Sequence, residues 1–377
     1  MASSLDPSSL VAFEDAAAGH DGILSDSTGD LFIKPCTPAE IAFYESSLAS
    51  HPSFAALMPT FMGTLRLGSP DQTLAAQAST SGVTPGTAAS LPLSDPGLSR
   101  GKKLDTQTAI VLENVAAGFS RPNIMDLKLG ARLWDEDAPP EKRARLDKIA
   151  AETTSSSLGF RVAGMRVWQG AREGGQAKDA KGEGGDDGYK VYDKMYGRKF
   201  TADNVKEAFW EYLRSSRTGV DEGLAIGLIK GFRLAKRFHD DVSAIEECLE
   251  QQESRMISAS ILFVYEGDPT TRNQAWAAAQ ESPRFQPGAQ AEVDSEVNFD
   301  RQGETDNHGS SDGDDDDDDD DDNASPKLSV TKMIDFAHAK WTPGLGPDEN
   351  VLQGVRSIRK ILLEIFIALF KQWKEQL

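Results

Sequence analysis

Cysteine is nearly absent: the 377 residues contain two, Cys36 and Cys248. Two thiols so far apart cannot make a disulfide framework or a cysteine-rich zinc site, and they suit a reducing compartment. No apolar run is long enough to cross a bilayer; the most apolar stretch, ILLEIFIALF at 361–370, is about half a span and contains Glu364. The first residues, MASSLDPSSLVAFEDAAAG, show no basic stretch leading into an apolar one, so neither a secretory signal nor membrane insertion is expected. The phosphate-loop pattern GxxxxGK[ST] is missing, as are an HRD catalytic loop and a complete glycine loop, which excludes Walker-type NTPases and ordinary protein kinases. No internal repeat is visible.

Positive charge is also in short supply: 40 basic residues face 60 acidic ones, for a formal charge of -20. That figure is local. Residues 291–322 hold sixteen Asp and Glu against one Arg, with nine consecutive aspartates from Asp314 to Asp322. This segment carries -15, leaving only -5 for the other 345 residues. The body is therefore close to neutral and has room for a basic pocket that takes an anionic ligand, while direct nucleic-acid binding is not expected. Three stretches lack the apolar surface to offset ordering entropy and read as disordered insertions: 67–103, 170–188 and 267–326, the last containing the acidic run.

Between these insertions the patterns alternate in kind. Segments 29–35, 108–115, 160–168, 258–267 and 328–336 read as strands; 38–50, 139–152, 203–214, 221–238, 240–253 and 349–376 read as helices. Strands first and mixed elements later favour an α+β fold over a doubly wound sheet. With 39% hydrophobic residues the chain suffices for one large domain or two modest ones.

RPNIMDLKLG at 121–130 is the most informative segment. If it is extended, Asp126 and Lys128 project from one face while Met125, Leu127 and Leu129 project from the other. Spacing alone is equally met by a surface ion pair on a strand. IDFAHA at 334–339 echoes the Asp-Phe-Gly metal-binding turn of kinases. On the helix near Pro140, Lys142, Arg145 and Lys148 fall at i, i+3 and i+6 and form one ridge; by itself such a ridge is a solvated face.

PNIMDLKLG fits the PxxxDxKxG signature of the inositol polyphosphate kinase family, and TTSSSLGFRVAGMRVW, KMYGR, ASILFVYEG and IDFAHA follow in that family's order. The chain resembles this family from about Gly19 to Leu362, and EKRARLDKIAAETTSSSLGFR resembles its multikinase branch in fungi and plants. The resemblance implies a two-lobed fold related to protein kinases, with an N-terminal ATP-binding lobe over 1–115 and a C-terminal lobe over 116–377. It implies ATP and Mg2+ as cofactors and inositol polyphosphates as substrates.

Residue by residue, it implies that Lys34 holds ATP phosphates and that Glu113 and Val115 offer main-chain groups to adenine. Asp126 engages the ribose, Lys128 reaches the reacting hydroxyl and the transferring phosphate, and Asp335 is the metal ligand. Lys142, Arg145, Lys148, Lys194 and His338 contact substrate phosphates. Two departures stand out: the family's Ser-Ser-Leu-Leu reads Ala259, Ser260, Ile261, Leu262, and no arginine lies between Lys34 and Glu40, where some relatives carry one.

The activity so implied is phosphorylation of inositol trisphosphate to the tetrakis- and pentakisphosphate. The nearest rival is an inositol hexakisphosphate kinase, and a rival of another class is a nuclear scaffold or transcription regulator acting through the Asp run. A monomer in nucleus and cytoplasm is expected, with nuclear protein partners as candidates for the acidic segment.

Overall fold

The computed structural model describes residues 10–13, 22–66, 106, 108–170, 188–213, 224–281 and 326–376. The first sheet is built from β1 (Val11–Ala12), β2 (Leu24–Ser25), β3 (Leu31–Pro35), β4 (Phe61–Arg66) and β5 (Thr108–Glu113), in the order β1-β2-β3-β5-β4. Helices α1 (Pro38–Ser50) and α2 (Pro52–Ala55) lie between β3 and β4. Thr37 caps α1 by accepting from the Glu40 N–H, and Pro38 sits where no helical N–H is needed.

The chain passes to a second sheet between Glu113 and Pro122. That connection is braced from the far side: the fully buried carboxylate of Glu266 accepts from the N–H groups of Ser120, Arg121 and Asp268. The second sheet contains β6 (Pro122–Leu129), β7 (Phe160–Trp168), β8 (Tyr189–Tyr192), β10 (Ser260–Glu266) and β11 (Ser329–Ile334), ordered β11-β10-β6-β7-β8 and antiparallel throughout. A small ribbon pairs β9 (Ser254–Met256) with β12 (Ala339–Trp341).

The helices of this half are α3 (Pro140–Ala151), α4 (Thr154–Leu158), α5 (Lys194–Gly197), α6 (Lys206–Tyr212), α7 (Leu224–Glu250), α8 (Pro269–Glu281) and α9 (Glu349–Lys374). The long helices α7 and α9 pack along each other, and α9 reaches β6 and β7. One core runs from Phe43, Tyr44 and Ile110 of the first half to Met125, Leu127 and Ile261 of the second.

The α+β class, the five expected strands and the extended PxxxDxKxG segment are all present. Two helical readings need correction. The spans 221–238 and 240–253 are one continuous helix, α7, because Asp240 pairs with Lys236 one turn back and Asp241 accepts from Thr331, so neither acid has to break the helix.

The stretch 267–326 is not disordered from its start: α8 occupies Pro269–Glu281. Asp268 caps it by accepting from the Thr271 N–H, and the buried Arg272 donates to the carbonyl of Gly267, so ordering is offset by packing that composition does not reveal. Residues 282–325 with the Asp run, 67–103, and 171–187 lie outside the described residues.

Helix α9 meets the β6–β7 layer through a pair of glycines. A Cβ on Gly354 would collide with the Gly159 carbonyl, and Gly159 itself sits at φ 71°. Gly354→Ala should gain about 1 kcal/mol of helix propensity but lose roughly 1–3 kcal/mol to overpacking. A melting temperature below that of the wild type is expected; a higher one would show that the two backbones are not in contact.

Candidate active site

Two adjoining cavities lie between the sheets. The first is an apolar slot lined by Phe32, Leu112, Ile124 and Leu262, with the Glu113–Ala116 main chain at its edge and Asp126 on its floor. The second, about 420 Å³, is polar and is lined by Lys128, Trp134, Asp135, Lys142, Ser258 and His338 among others. Among the described residues only Lys34 and Asp335 line both.

At this junction Lys34 Nζ lies 2.9 Å from Glu40 Oε1 and 2.9 Å from Asp335 Oδ1. Burial disfavours the ammonium charge, but Asp335 and Glu40 more than compensate, and the pKa of Lys34 is raised above the usual lysine value. Glu40 is buried, and α1 carries it. Asp335 follows β11 with φ 68°, a left-handed conformation that Asp tolerates better than most residues. Phe336 fixes that turn from below, packed edge-on against Tyr44 and Phe54. Ser258, at φ 66°, is the other non-glycine residue with positive φ among those described, and it lines the same cavity.

Along β6 the expected parity holds. Met125, Leu127 and Leu129 enter the main core, while Ile124 and Asp126 line the slot and Lys128 lines the polar cavity. Asp126 is pushed up to about 6, by burial first and by the Asp335 charge second. Among the described residues no hydrogen bond reaches its Oδ1 or the buried Ser260 hydroxyl, although Ser260 is near enough to favour the ionised carboxyl. A buried carboxylate oxygen without a partner, beside an apolar slot, can accept from a ligand hydroxyl.

Of the basic ridge, Lys142 lines the polar cavity together with Leu146. Arg145 is exposed and is not among the lining residues, and Lys148 is an exposed partner of Glu152 one turn on. Lys194 is exposed at the start of α5 and lies outside the lining of both cavities. His338 Nδ1 is 2.9 Å from Asp135 Oδ2, which leaves its other ring nitrogen for the cavity. Asp135 is held firmly, since Trp134 beside it donates to Asp147 on α3 and stacks under Arg143.

Glu40, Asp135 and Ser258 belong to the site although sequence reasoning passed over them. The 38–50 pattern gave a helix but not that its third residue would be a buried acid facing Lys34. Asp135 meets His338 across 203 positions, and no local pattern signals that contact.

A family model described as inositol polyphosphate kinase matches residues 109–363. The chain belongs to the inositol polyphosphate kinase family. It is 33% identical to an inositol polyphosphate multikinase of Saccharomyces cerevisiae, over 94% of this chain and 97% of the relative. A human inositol hexakisphosphate kinase 3 is 26% identical, over 68% of this chain and 51% of that one. Among solved structures, the inositol phosphate multikinase Ipk2 of S. cerevisiae in complex with ADP and Mn2+ superposes with a TM-score of 0.58 at 27% identity, covering 89% of this chain and 99% of that one. The two-lobed fold is thus that of an inositol polyphosphate kinase, and the protein is an enzyme of that family.

The raised pKa of Asp126 has a consequence for the ligand-free fold. Its folded value of about 6 lies above the ordinary 3.8, so its stabilising contribution is complete below 3.8 and is lost as pH rises through 6. Asp126→Asn removes a penalty on the order of 2–3 kcal/mol at neutral pH. Its melting temperature without ligand should exceed the wild type's at pH 7.5, and the gap should narrow at pH 5. A gap that is constant with pH would show that Asp126 does not titrate in this range.

Proposed function

We propose that this kinase uses ATP and Mg2+ to phosphorylate inositol trisphosphate to the tetrakis- and pentakisphosphate. One observation carries the reading: an apolar slot and a cation-bearing polar cavity meet at Lys34 and Asp335. Adenine fits the slot against the main chain of Glu113 and Val115, and the inositol phosphate fits the cavity. The transferring phosphoryl group then passes across the shared pair.

The residues present fit the divalent ion. Asp335 borders both cavities, and Mg2+ is commonly held by one or two carboxylates and by substrate phosphates rather than by a dedicated protein cage. Asp335 would hold it, and when bound it would neutralise phosphate charge and orient the nucleotide.

The chain's own residues do the rest. Glu40 fixes the Lys34 ammonium, a point charge for nucleotide phosphates, and Asp126 Oδ1 accepts from the ribose. Lys128, rigid on β6, stabilises charge as it develops on the transferring group. Lys142 and His338 hold substrate phosphates; with Asp135 accepting from Nδ1, the His338 Nε2 donates when the ring is an imidazolium. Weaker or more distant roles fall to Arg145, Lys148 and Lys194. A monomeric protein in nucleus and cytoplasm, with basic partners for the acidic run, is part of the proposal and rests on sequence alone.

Incubation of the enzyme with ATP, Mg2+ and either inositol trisphosphate or hexakisphosphate, followed by anion-exchange analysis, tests it. Tetrakis- and pentakisphosphate are expected from the first; pyrophosphates from the second alone would overturn the assignment in favour of a hexakisphosphate kinase. Asp335→Asn should fold, because Asn also tolerates the left-handed backbone, and should lose nearly all turnover. Turnover retained at saturating Mg2+ would remove Asp335 from the metal site.

Loss of one charge-assisted phosphate contact is worth roughly 1.5–3 kcal/mol. Lys142→Ala should accordingly raise KM for inositol trisphosphate by about tenfold to a hundredfold and leave KM for ATP nearly alone. The reverse pattern in steady-state kinetics would put the substrate elsewhere.

A further inference from the structure

Two arginines outside the lining of either cavity stand next to the proposed substrate site. In the β6–β7 ladder Arg161 is directly opposite Lys128. The neighbours of opposite parity, Leu127 and Leu129 on one strand and Phe160 and Val162 on the other, are buried in the core, so Lys128 and Arg161 share the outer face. Arg161 Nη1 donates to Ser155 Oγ at 3.0 Å, which fixes one edge of its fork. Helix α5 then presses on β7 so closely that a Cβ on Gly197 would collide with the Val162 carbonyl, and this brings the next residue, Arg198, alongside Arg161.

Like charges are not normally gathered in a partly buried place. Burial first and Arg198 second pull Arg161 down to about 10, and the carboxylate acting the other way is Asp126, which is itself pushed toward its neutral form. Neither arginine makes an ion pair among the described residues. Two guanidinium groups side by side with no ion-paired carboxylate repel each other without ligand and are reconciled when a dianion arrives, for which the planar fork is well shaped.

We propose that Arg161 and Arg198 form a phosphate subsite beside Lys128, taking a phosphate monoester of the inositol ring remote from the reacting hydroxyl. The subsite rests on the reading of the protein as an inositol polyphosphate kinase. Its position follows from strand order: β7 flanks β6 on the side away from β10 and β11, and Asp335 follows β11. A ring held at Lys128 therefore meets the transferring phosphate on one side and the two arginines on the other. Substrates lacking a phosphate there would be bound less tightly, so the pair selects among inositol phosphates.

The test combines affinity with ligand-free stability in the full-length protein. Binding of inositol trisphosphate is measured by calorimetry for the wild type, Arg161→Met, Arg161→Lys and Arg198→Ala, together with KM for ATP and the melting temperature without ligand. Arg161→Met should bind about tenfold to a hundredfold more weakly with KM for ATP unchanged, and should melt no lower than the wild type because a repelling charge has gone. Arg161→Lys should recover part of the affinity, and Arg198→Ala should lose affinity as well.

Full affinity in a folded Arg161→Met, or a loss shared equally with ATP, overturns the subsite. So does a lower melting temperature with no loss of affinity, the mark of an arginine that only packs. Should Arg161→Met fail to fold, the exposed Arg198 carries the same decision. A wild type that neither binds nor phosphorylates inositol trisphosphate would instead overturn the functional reading on which the subsite rests.

Discussion

The buried triad of Lys34, Glu40 and Asp335 is the interaction on which the rest of the site depends. Its members come from β3, from the first turn of α1 and from the turn after β11, and 301 positions separate the lysine from the aspartate. Burying an ammonium alone would cost several kcal/mol, and the two carboxylates at 2.9 Å are what make it tolerable. One cation against two anions leaves a net negative charge at the junction of the cavities. A ligand that brings a divalent cation relieves that excess, whereas a bare phosphate does not. The triad by itself thus favours a metal–nucleotide complex over free nucleotide.

Geometry enforces what charge prefers. The left-handed conformations of Asp335 and Ser258 each cost free energy, and both residues border the polar cavity. The turn at Asp335 is held because Phe336 is locked in a cluster with Phe43, Tyr44 and Phe54. The same cluster packs α1 against the second half, through Trp341 stacked on both Phe43 and His51. Aromatic packing therefore sets the spacing between the element that carries Glu40 and the turn that carries Asp335, and a small shift there would be felt at Lys34.

Most of the scaffold was legible because strands buried on one face write their parity into the sequence. Met125, Leu127 and Leu129 announce β6, and once β6 is extended Asp126 and Lys128 must share a face. Legibility ended where a residue's meaning depends on a partner far along the chain. Glu40, Asp135 and Arg161 look like ordinary surface charges until the fold brings Lys34, His338 and Arg198 to them. Composition misled at 267–281, where small polar residues suggest an insertion but an Asp cap and a buried arginine make a helix. The ridge on α3 was legible as a ridge, yet only its first member lines the cavity, since helix orientation is a tertiary property.

The distribution of cations between the lobes bears on how an acceptor hydroxyl is chosen. Lys128 and Arg161 lie on adjacent strands of one sheet, Lys142 on α3 close behind them, and His338 in the turn after β11 that closes the same sheet. The groups proposed to hold the inositol ring thus belong to a single packed body. The nucleotide slot is lined from both sheets, with Phe32 and Leu112 from one and Ile124 and Leu262 from the other, and the polar cavity takes Lys34 and Pro35 from the first sheet beside those cations. Movement between the sheets would alter the slot, the Lys34 side of the cavity and the approach of the phosphoryl group, while leaving the mutual placement of the cations proposed to hold the ring fixed. Which hydroxyl faces Asp335 is then set by how the ring's phosphates match fixed cations on one body, and an enzyme that modifies successive positions would do so by rebinding its product in a new orientation.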